Sequence, residues 1–338
     1  MTGTPTVVLA ADVGGTNTKL ALAQCGGGKC LILTRSVYAS GEHAAFERIV
    51  EAFLREPQVA AFAPGVAAAC FAVAGPVEDG CARLTNLTWR IDERDLARHF
   101  AISRVSVIND FAAAGLGIAQ LAETDLLTLQ HGTPVAHADR VVIGAGTGLG
   151  VAWLTWDDGR YRVHPSEGGH ASFAPVDEDQ DQLLQRLRAE LGHVSAERIV
   201  SGPGLERIFK FLQDSGYSAP GQALLDAMAK GDNAGAISEF ALGKRDVVAE
   251  RALDVFVSAY GAFAGNMALI GLARGGIYIA GGIAPKIAAK LQDGTFMRSF
   301  AGKGRFRTLL ESFPVKVVMN AQVGLLGAIA EAARLGRD

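Results

Sequence analysis

One pattern that occurs twice restricts the fold more than any other feature. An apolar run at residues 6–11 leads into Asp12-Val13-Gly14-Gly15-Thr16-Asn17 and then Lys19-Leu20-Ala21-Leu22-Ala23. This order predicts a strand, a glycine turn and a second strand. Arg140-Val141-Val142-Ile143 runs into Gly144-Ala145-Gly146-Thr147-Gly148-Leu149-Gly150 and on to Val151-Ala152-Trp153-Leu154, the same order again. With Gly15-Thr16 aligned on Gly146-Thr147, the second half restates the first, and an internal duplication of an α/β unit is the economical explanation. Residues 66–74 and 105–108 predict further buried strands, the second ending in Asn109-Asp110 ahead of a helix at 111–121. Helices are expected at 181–191, 223–229, 247–272 and 328–335, and a strand at 277–280 that ends in Gly281-Gly282. No long Pro/Ser linker separates the halves, so two α/β domains facing across a cleft are expected, with a ligand at the carboxyl ends of strands.

Composition narrows the function classes. A chain of 338 residues with 49% apolar and 20% charged residues is a folded protein of about two domains. Its 32 basic and 35 acidic residues give a net charge of -3, too balanced for a nucleic-acid footprint. Glycine is in excess at 41 residues without a collagen period, which assigns it to turns and close backbone approaches. The four cysteines, Cys25, Cys30, Cys70 and Cys81, lack zinc spacing and a disulfide framework, so free thiols are expected. Lys19 is the first basic residue and Asp12 interrupts the first apolar run. A signal peptide is therefore not expected, and a cytoplasmic location is. The uncharged stretches 57–77 and 255–273 are broken by Pro64-Gly65 and by Gly261, Gly265 and Asn266, so buried segments are expected there and no membrane span.

Glycine turns cradle phosphate because backbone N–H groups reach an anion only where no Cβ intervenes. The chain has no GxxxxGK[ST], and Leu149 occupies the last glycine that GxGxxG requires, which disfavours a P-loop and a dinucleotide fold. What remains is a pair of Gly-Thr turns at matching places, a pattern that points to a split phosphate clamp, with the Asp12 carboxylate just before the first. Asn109-Asp110 suits an ordinary helix N-cap, and Asp110 at a strand end also suits a general base for a substrate hydroxyl. Ser166-Glu167-Gly168-Gly169-His170 sets a carboxylate and an imidazole three residues apart. Glu197-Arg198, ahead of Ser201-Gly202-Pro203-Gly204, reads either as a surface ion pair or as part of a site. Together these side chains suit a polyhydroxy ligand.

Taken in order, several stretches resemble the bacterial glucokinase family, of the hexokinase, actin and heat-shock-chaperone ATPase superfamily. They are Asp12 to Asn17, Thr85-Asn86-Leu87-Thr88-Trp89, Ile108-Asn109-Asp110-Phe111, Gly144 to Gly150, Glu167 to His170, Ser195 to Gly204, Ile279 to Ile283 and Gly324-Leu325-Leu326-Gly327. The resemblance implies two ribonuclease-H-like domains: residues 1–118 with about 320–338 as a small one, and 119–319 as a large one. It implies transfer of the γ-phosphoryl group of ATP to the C6 hydroxyl of glucose, giving glucose 6-phosphate and ADP. A hexokinase for mannose, fructose or an N-acetyl sugar and a non-catalytic sugar-binding regulator are the alternatives.

By the same resemblance Asp110 is the base, and Asn109, Asp110, Glu167, His170 and Glu197 hold the sugar. Gly14, Gly15, Thr16 and Asn17 with Gly146, Thr147 and Gly148 hold the phosphates of ATP, and Gly281 and Gly282 lie near the adenosine. Asp12 orients Mg2+ through water. A homodimer without nucleic-acid or membrane partners is expected. The CxCGxxGC zinc motif of related repressor and sugar kinases is absent. Lys19 stands where Arg is common, and Gln322-Val323 stands where Pro is frequent.

Overall fold

The computed structural model describes residues 5–84 and 87–337. The chain divides into two compact units, residues 1–122 with 322–338, and residues 123–321. In the first, β1 (Thr6–Val13) and β2 (Asn17–Gly26) form the expected hairpin, with Asp12 opposite Lys19. β3 (Lys29–Ala39) and β4 (Val66–Val73) follow, then the short strands β5 (Val77–Glu78), β6 (Cys81–Arg83) and β7 (Arg90–Asp92), and then β8 (Val105–Asn109). The main sheet has the order β3-β2-β1-β4-β8; β2 is antiparallel to both β3 and β1, and β4 is parallel to β1 and β8.

Alternation along β1 feeds two cores, as the period of a strand requires. Leu9, Ala11 and Val13 pack with Phe46, Ile49 and Phe53 of the helix Phe46–Leu54. On the opposite face Val8 and Ala10 join Ala21, Ala72, Leu325, Ala328 and Ile329. This second face is rich in alanine and carries the helices Asp110–Ile118 and Val323–Leu335. The two helices meet backbone to backbone. A Cβ on Gly327 would overlap the Ala113 carbonyl, and one on Gly117 would overlap the Val323 carbonyl.

The second unit repeats the topology. β9 (Leu126–Gln130), β10 (Arg140–Ala145), β11 (Leu149–Asp157), β12 (Arg160–Ser166), β13 (Gly276–Ala280) and β14 (Val315–Val318) form a sheet of order β12-β11-β10-β13-β14-β9. From β12 to β14 the pairing directions match those from β3 to β8, and β9 is an added antiparallel edge. The duplication read from two turns is thus present in the pairing of both sheets.

Between β12 and β13 the chain inserts the helices Glu178–Leu191, Gly202–Asp214, Gln222–Met228, Asn233–Leu242 and Val247–Ile270. The last begins where Asp246 accepts hydrogen bonds from the Val248 and Ala249 N–H groups, both at 2.9 Å, as an N-cap does. It is long and apolar enough to cross a membrane, yet 72% of its most apolar window is buried within the protein. Phe256 and Tyr260 pack there with Val141 and Ile143 of β10.

The expectation of free thiols is corrected at one pair. The β2–β3 register sets Cys25 opposite Cys30 across a turn that contains Gly27 and Gly28, both at positive φ, and the two sulfurs are bonded. Spacing alone gives no sign of this, because the turn brings the two strands back to within 4.1 Å between Cα atoms. Cys70 and Cys81 are free.

Candidate active site

In the first unit three parallel strands end level, Val13 lying opposite Val73 and Val73 opposite Asn109. Two strand spacings, about 10 Å, separate the turn after β1 from the helix that begins after β8. The Gly14 N–H closes the turn on the Asn17 carbonyl at 3.0 Å. Ser40 braces it from behind: its hydroxyl donates to the Gly14 carbonyl at 2.7 Å, and its N–H donates to the Thr16 carbonyl at 2.9 Å. These bonds commit the Gly14, Thr16 and Asn17 carbonyls, which tilts what the turn offers a ligand toward N–H and hydroxyl donors, the set an anion needs. Nothing in the sequence marks Ser40 for this role.

Asp12 receives the Lys19 ammonium at 3.0 Å, and Gly324 lets the terminal helix approach to 3.6 Å from the Asp12 carboxyl carbon, measured to an added Cβ. Among the described residues no group of three or more His, Cys, Asp or Glu side chains could hold a metal ion. A single hard carboxylate beside a phosphate-type turn nevertheless fits Mg2+, which takes one or two carboxylates and completes its shell with phosphates and water.

Asn109 caps the helix Asp110–Ile118. Its Oδ1 accepts from the Phe111 and Ala112 N–H groups at 2.9 and 3.1 Å, and its Nδ2 donates to the Gly75 carbonyl at 3.0 Å and to Asp110 Oδ1 at 3.1 Å. These bonds use both acceptor and both donor positions of the amide. Asn109 is thus a cap and an orienter of Asp110 at once. Asp110 Oδ1 also accepts from the Phe111 N–H at 2.9 Å, which holds the carboxylate at the strand end.

The second unit builds its turn differently. The Gly146 N–H donates to the Gly148 carbonyl at 2.8 Å, and the Gly202 N–H, at the start of the helix Gly202–Asp214, donates to the Gly146 carbonyl at 2.8 Å. The Leu149 N–H donates to Glu197 Oε2 at 2.9 Å. Beneath the turn the Tyr260 hydroxyl accepts from the Ala145 N–H at 3.2 Å and donates to the Ile143 carbonyl at 3.3 Å; burial pushes this phenol well above its ordinary pKa. Gly281, at φ 83°, lies where a Cβ would be 2.5 Å from the Ala145 carbonyl. Only glycine fits both constraints.

Glu167 and His170 flank a short turn at Gly168–His170, with 3.8 Å between carboxylate oxygen and ring nitrogen and both side chains mostly exposed. A Cβ on Gly169 would overlap the Leu149 carbonyl. The Ala196 N–H donates to the Ala171 carbonyl at 2.8 Å, so Glu197 arrives beside the same turn. Gly146, Gly148, Glu167, His170, Glu197 and Gly281, scattered in sequence, thus sit on segments that touch one glycine turn or form it. Thr16, Asn17 and Thr147 are exposed. Thr85 and Asn86 lie outside the described residues.

A further feature carries no sequence signal. One face of the helix Gly202–Asp214 borders a cavity of about 480 Å³ lined by Pro203, Arg207, Lys210, Leu225, Met228 and Asn233 among others. Arg207 is half-buried, and burial first, then the charge of Arg198, lowers its pKa from the ordinary arginine value. The Gly202 bond to Gly146 ties the start of the helix that borders this groove to the turn.

A duplicated α/β sheet with a phosphate-type turn in each copy, one beside a strand-end carboxylate and the other joined to Glu and His, defines a two-unit sugar kinase. The family model described as Glucokinase matches residues 9–335. The chain belongs to the glucokinase family. It is 42% identical to the glucokinase of Nostoc punctiforme over 98% of this chain and 100% of that one. Among solved structures, a glucokinase from an Antarctic psychrotroph aligns with TM-score 0.83 at 30% identity, covering 97% of this chain and 99% of that one. A ROK family glucokinase from Streptomyces griseus, solved with glucose and AMPPNP, shares the fold at TM-score 0.63 and 23% identity, covering 97% and 99%.

Proposed function

We propose that the protein is an ATP-dependent glucose kinase that moves the γ-phosphoryl group to the C6 hydroxyl. The family match over residues 9–335 supports the activity, and the observation that carries the mechanism is Asp110, fixed at a strand end by Asn109 and the Phe111 N–H. Phosphoryl transfer passes through a loose transition state, so the protein's work is alignment and charge stabilisation. Asp110 accepts the proton of the attacking hydroxyl. Glu167, His170 and Glu197 pair with the other hydroxyls, and Asn109 holds Asp110 and exchanges its Asp110 bond for a sugar hydroxyl on binding.

The turns Gly14, Gly15, Thr16, Asn17 and Gly146, Thr147, Gly148 receive phosphate oxygens through the N–H and hydroxyl groups left over once the Gly14 and Gly146 N–H groups have closed them. Gly281 and Gly282 lie toward the nucleoside, and the Pro203–Arg207 groove takes its base and ribose. Asp12 would hold Mg2+ through water, and Mg2+ when bound would neutralise charge on the phosphates. A cytoplasmic homodimer is the expected assembly, checked by cell fractionation and light scattering.

The test is purified protein with Mg-ATP and glucose, mannose, fructose and N-acetylglucosamine in parallel, reading ADP and sugar phosphate together. Glucose should give the highest kcat/KM with equal amounts of both products. Turnover confined to another hexose, or none with any, would overturn the proposal.

A further inference from the structure

Glu197 is read above as a sugar residue, yet its carboxylate is already engaged on the nucleotide side. Oε2 accepts from the Leu149 N–H at 2.9 Å, at the foot of the glycine turn. The same oxygen lies 2.5 Å from the position a Cβ would take on Gly148, so a residue with a side chain there would displace it. Glu197 is half-buried and follows Ala196, whose N–H is fixed to the Ala171 carbonyl one residue past His170. Gly169 in turn lies against the Leu149 carbonyl. The other edge of the turn is held by the Gly202 N–H on the Gly146 carbonyl. Turn, Glu167–His170 segment and Glu197 segment therefore share one set of close contacts, and a shift of the Glu197 carboxylate must move the Leu149 N–H or break its bond.

We infer that Glu197 couples the two substrates: Oε2 positions the phosphate turn through Leu149, while Oε1 serves a sugar hydroxyl. For the nucleotide it is a positioning residue; for the sugar it is a binding one. The inference rests on the reading of Glu197 as a sugar residue. A hydroxyl on Oε1 fixes the carboxylate and with it the Leu149 N–H, so sugar binding stiffens the turn that receives phosphate. Linkage requires the reverse effect by the same factor. Gly148 lets the carboxylate reach the turn, which gives a nominally nucleotide-side glycine a role in sugar affinity.

The experiment is calorimetry on the full-length protein with Mg2+, titrating glucose with and without AMPPNP, and AMPPNP with and without glucose. In the wild type each ligand should tighten the other by one common factor, at least about fivefold. Glu197→Ala should weaken glucose and AMPPNP alike and bring that factor close to one. Glu197→Gln retains an acceptor for the Leu149 N–H, so it should keep AMPPNP affinity within about threefold of wild type while glucose weakens. Gly148→Ala should weaken glucose by about fivefold or more, although no sugar contact is removed.

If Glu197→Ala weakens glucose alone and leaves AMPPNP affinity and the common factor intact, the coupling is overturned and the sugar reading stands. If it leaves glucose affinity unchanged, the sugar reading itself fails. Should Gly148→Ala not fold, the contrast between Glu197→Ala and Glu197→Gln decides the matter.

Discussion

The two glycine turns occupy equivalent places in matching sheets but are held by different means. The first is braced by a neighbouring residue of its own sheet connection, Ser40, and sits beside a charged cross-strand pair, Asp12 and Lys19. The second follows the apolar Ile143 and takes its carboxylate from Glu197, which the chain reaches only through an insertion after β12. Duplication kept a glycine turn at the same strand end, while the bond that closes it and the source of negative charge diverged. One unit carries it in the strand, and the other imports it.

The largest effect expected is at Asp110, the proposed proton acceptor, in the first unit. Asp110→Ala should lower kcat by about 10²- to 10⁴-fold while the thermal midpoint stays near wild type and much of the glucose binding is retained. A variant that keeps more than about a tenth of wild-type kcat would remove Asp110 from the base role.

The turns themselves should break differently. A Cβ on Gly146 meets nothing within 4 Å, whereas one on Gly14 lies 3.0 Å from the Asn17 carbonyl. Gly146→Val should therefore keep its thermal midpoint and its glucose affinity but lose about 10²-fold in kcat, because the branched side chain would stand on the proposed path of the phosphate. Gly14→Val should lose activity and stability together. Equal thermal midpoints for the two variants would show that the bracing does not differ as described.

Lys19 sharpens the comparison at smaller scale. Its pair with Asp12 is partly exposed, with side-chain accessibilities of 36% and 23%, so its contribution is modest. Lys19→Met should raise the KM for Mg-ATP a few-fold, and Lys19→Arg should restore it. An unchanged KM in Lys19→Met would show that Asp12 needs no cross-strand cation.

The Cys25–Cys30 bridge lies at the far end of the β2–β3 hairpin from the Gly14–Asn17 turn. Closing so short a loop contributes about 2 kcal/mol by chain entropy. Reduction, or Cys30→Ser, should lower the thermal midpoint by a few degrees and leave kcat unchanged within about twofold. A drop in kcat that parallels the loss of the bridge would tie this hairpin end to the site.

The same contrast explains what the sequence discloses. The first turn, Asp12 and the Asn109-Asp110 strand end are local features, because strand, turn and helix start are contiguous and their residue types are dictated by φ, capping and charge. The engagement of Glu197 with Leu149 depends on the pairing of Ala196 with Ala171, a tertiary contact with no periodicity. Ser40 and Gly202 act through backbone N–H groups that any residue but proline possesses, apart from the Ser40 hydroxyl. β3 escapes a period-two reading because it is an edge strand with Leu31 and Val37 exposed. The return of Val323–Leu335 to the first unit follows from the fit of Gly327 on Ala113, which chain order does not reveal.

That return has a consequence for the order in which the enzyme comes into being. The second unit is one continuous stretch, residues 123–321, whereas the first needs residues 322–338 as well. Domains tend to fold as units during synthesis from the N-terminus, so the second unit has all its residues before the first does. The helix that starts at Asp110 lacks its contact with Val323–Leu335, made through Gly117 and Gly327, until that segment has been synthesised. A nascent chain stalled just short of residue 322 has every residue of the second unit but lacks the helix that packs on Asp110–Ile118, so Asp110, the proposed proton acceptor, is expected to be unsupported in it and phosphoryl transfer absent.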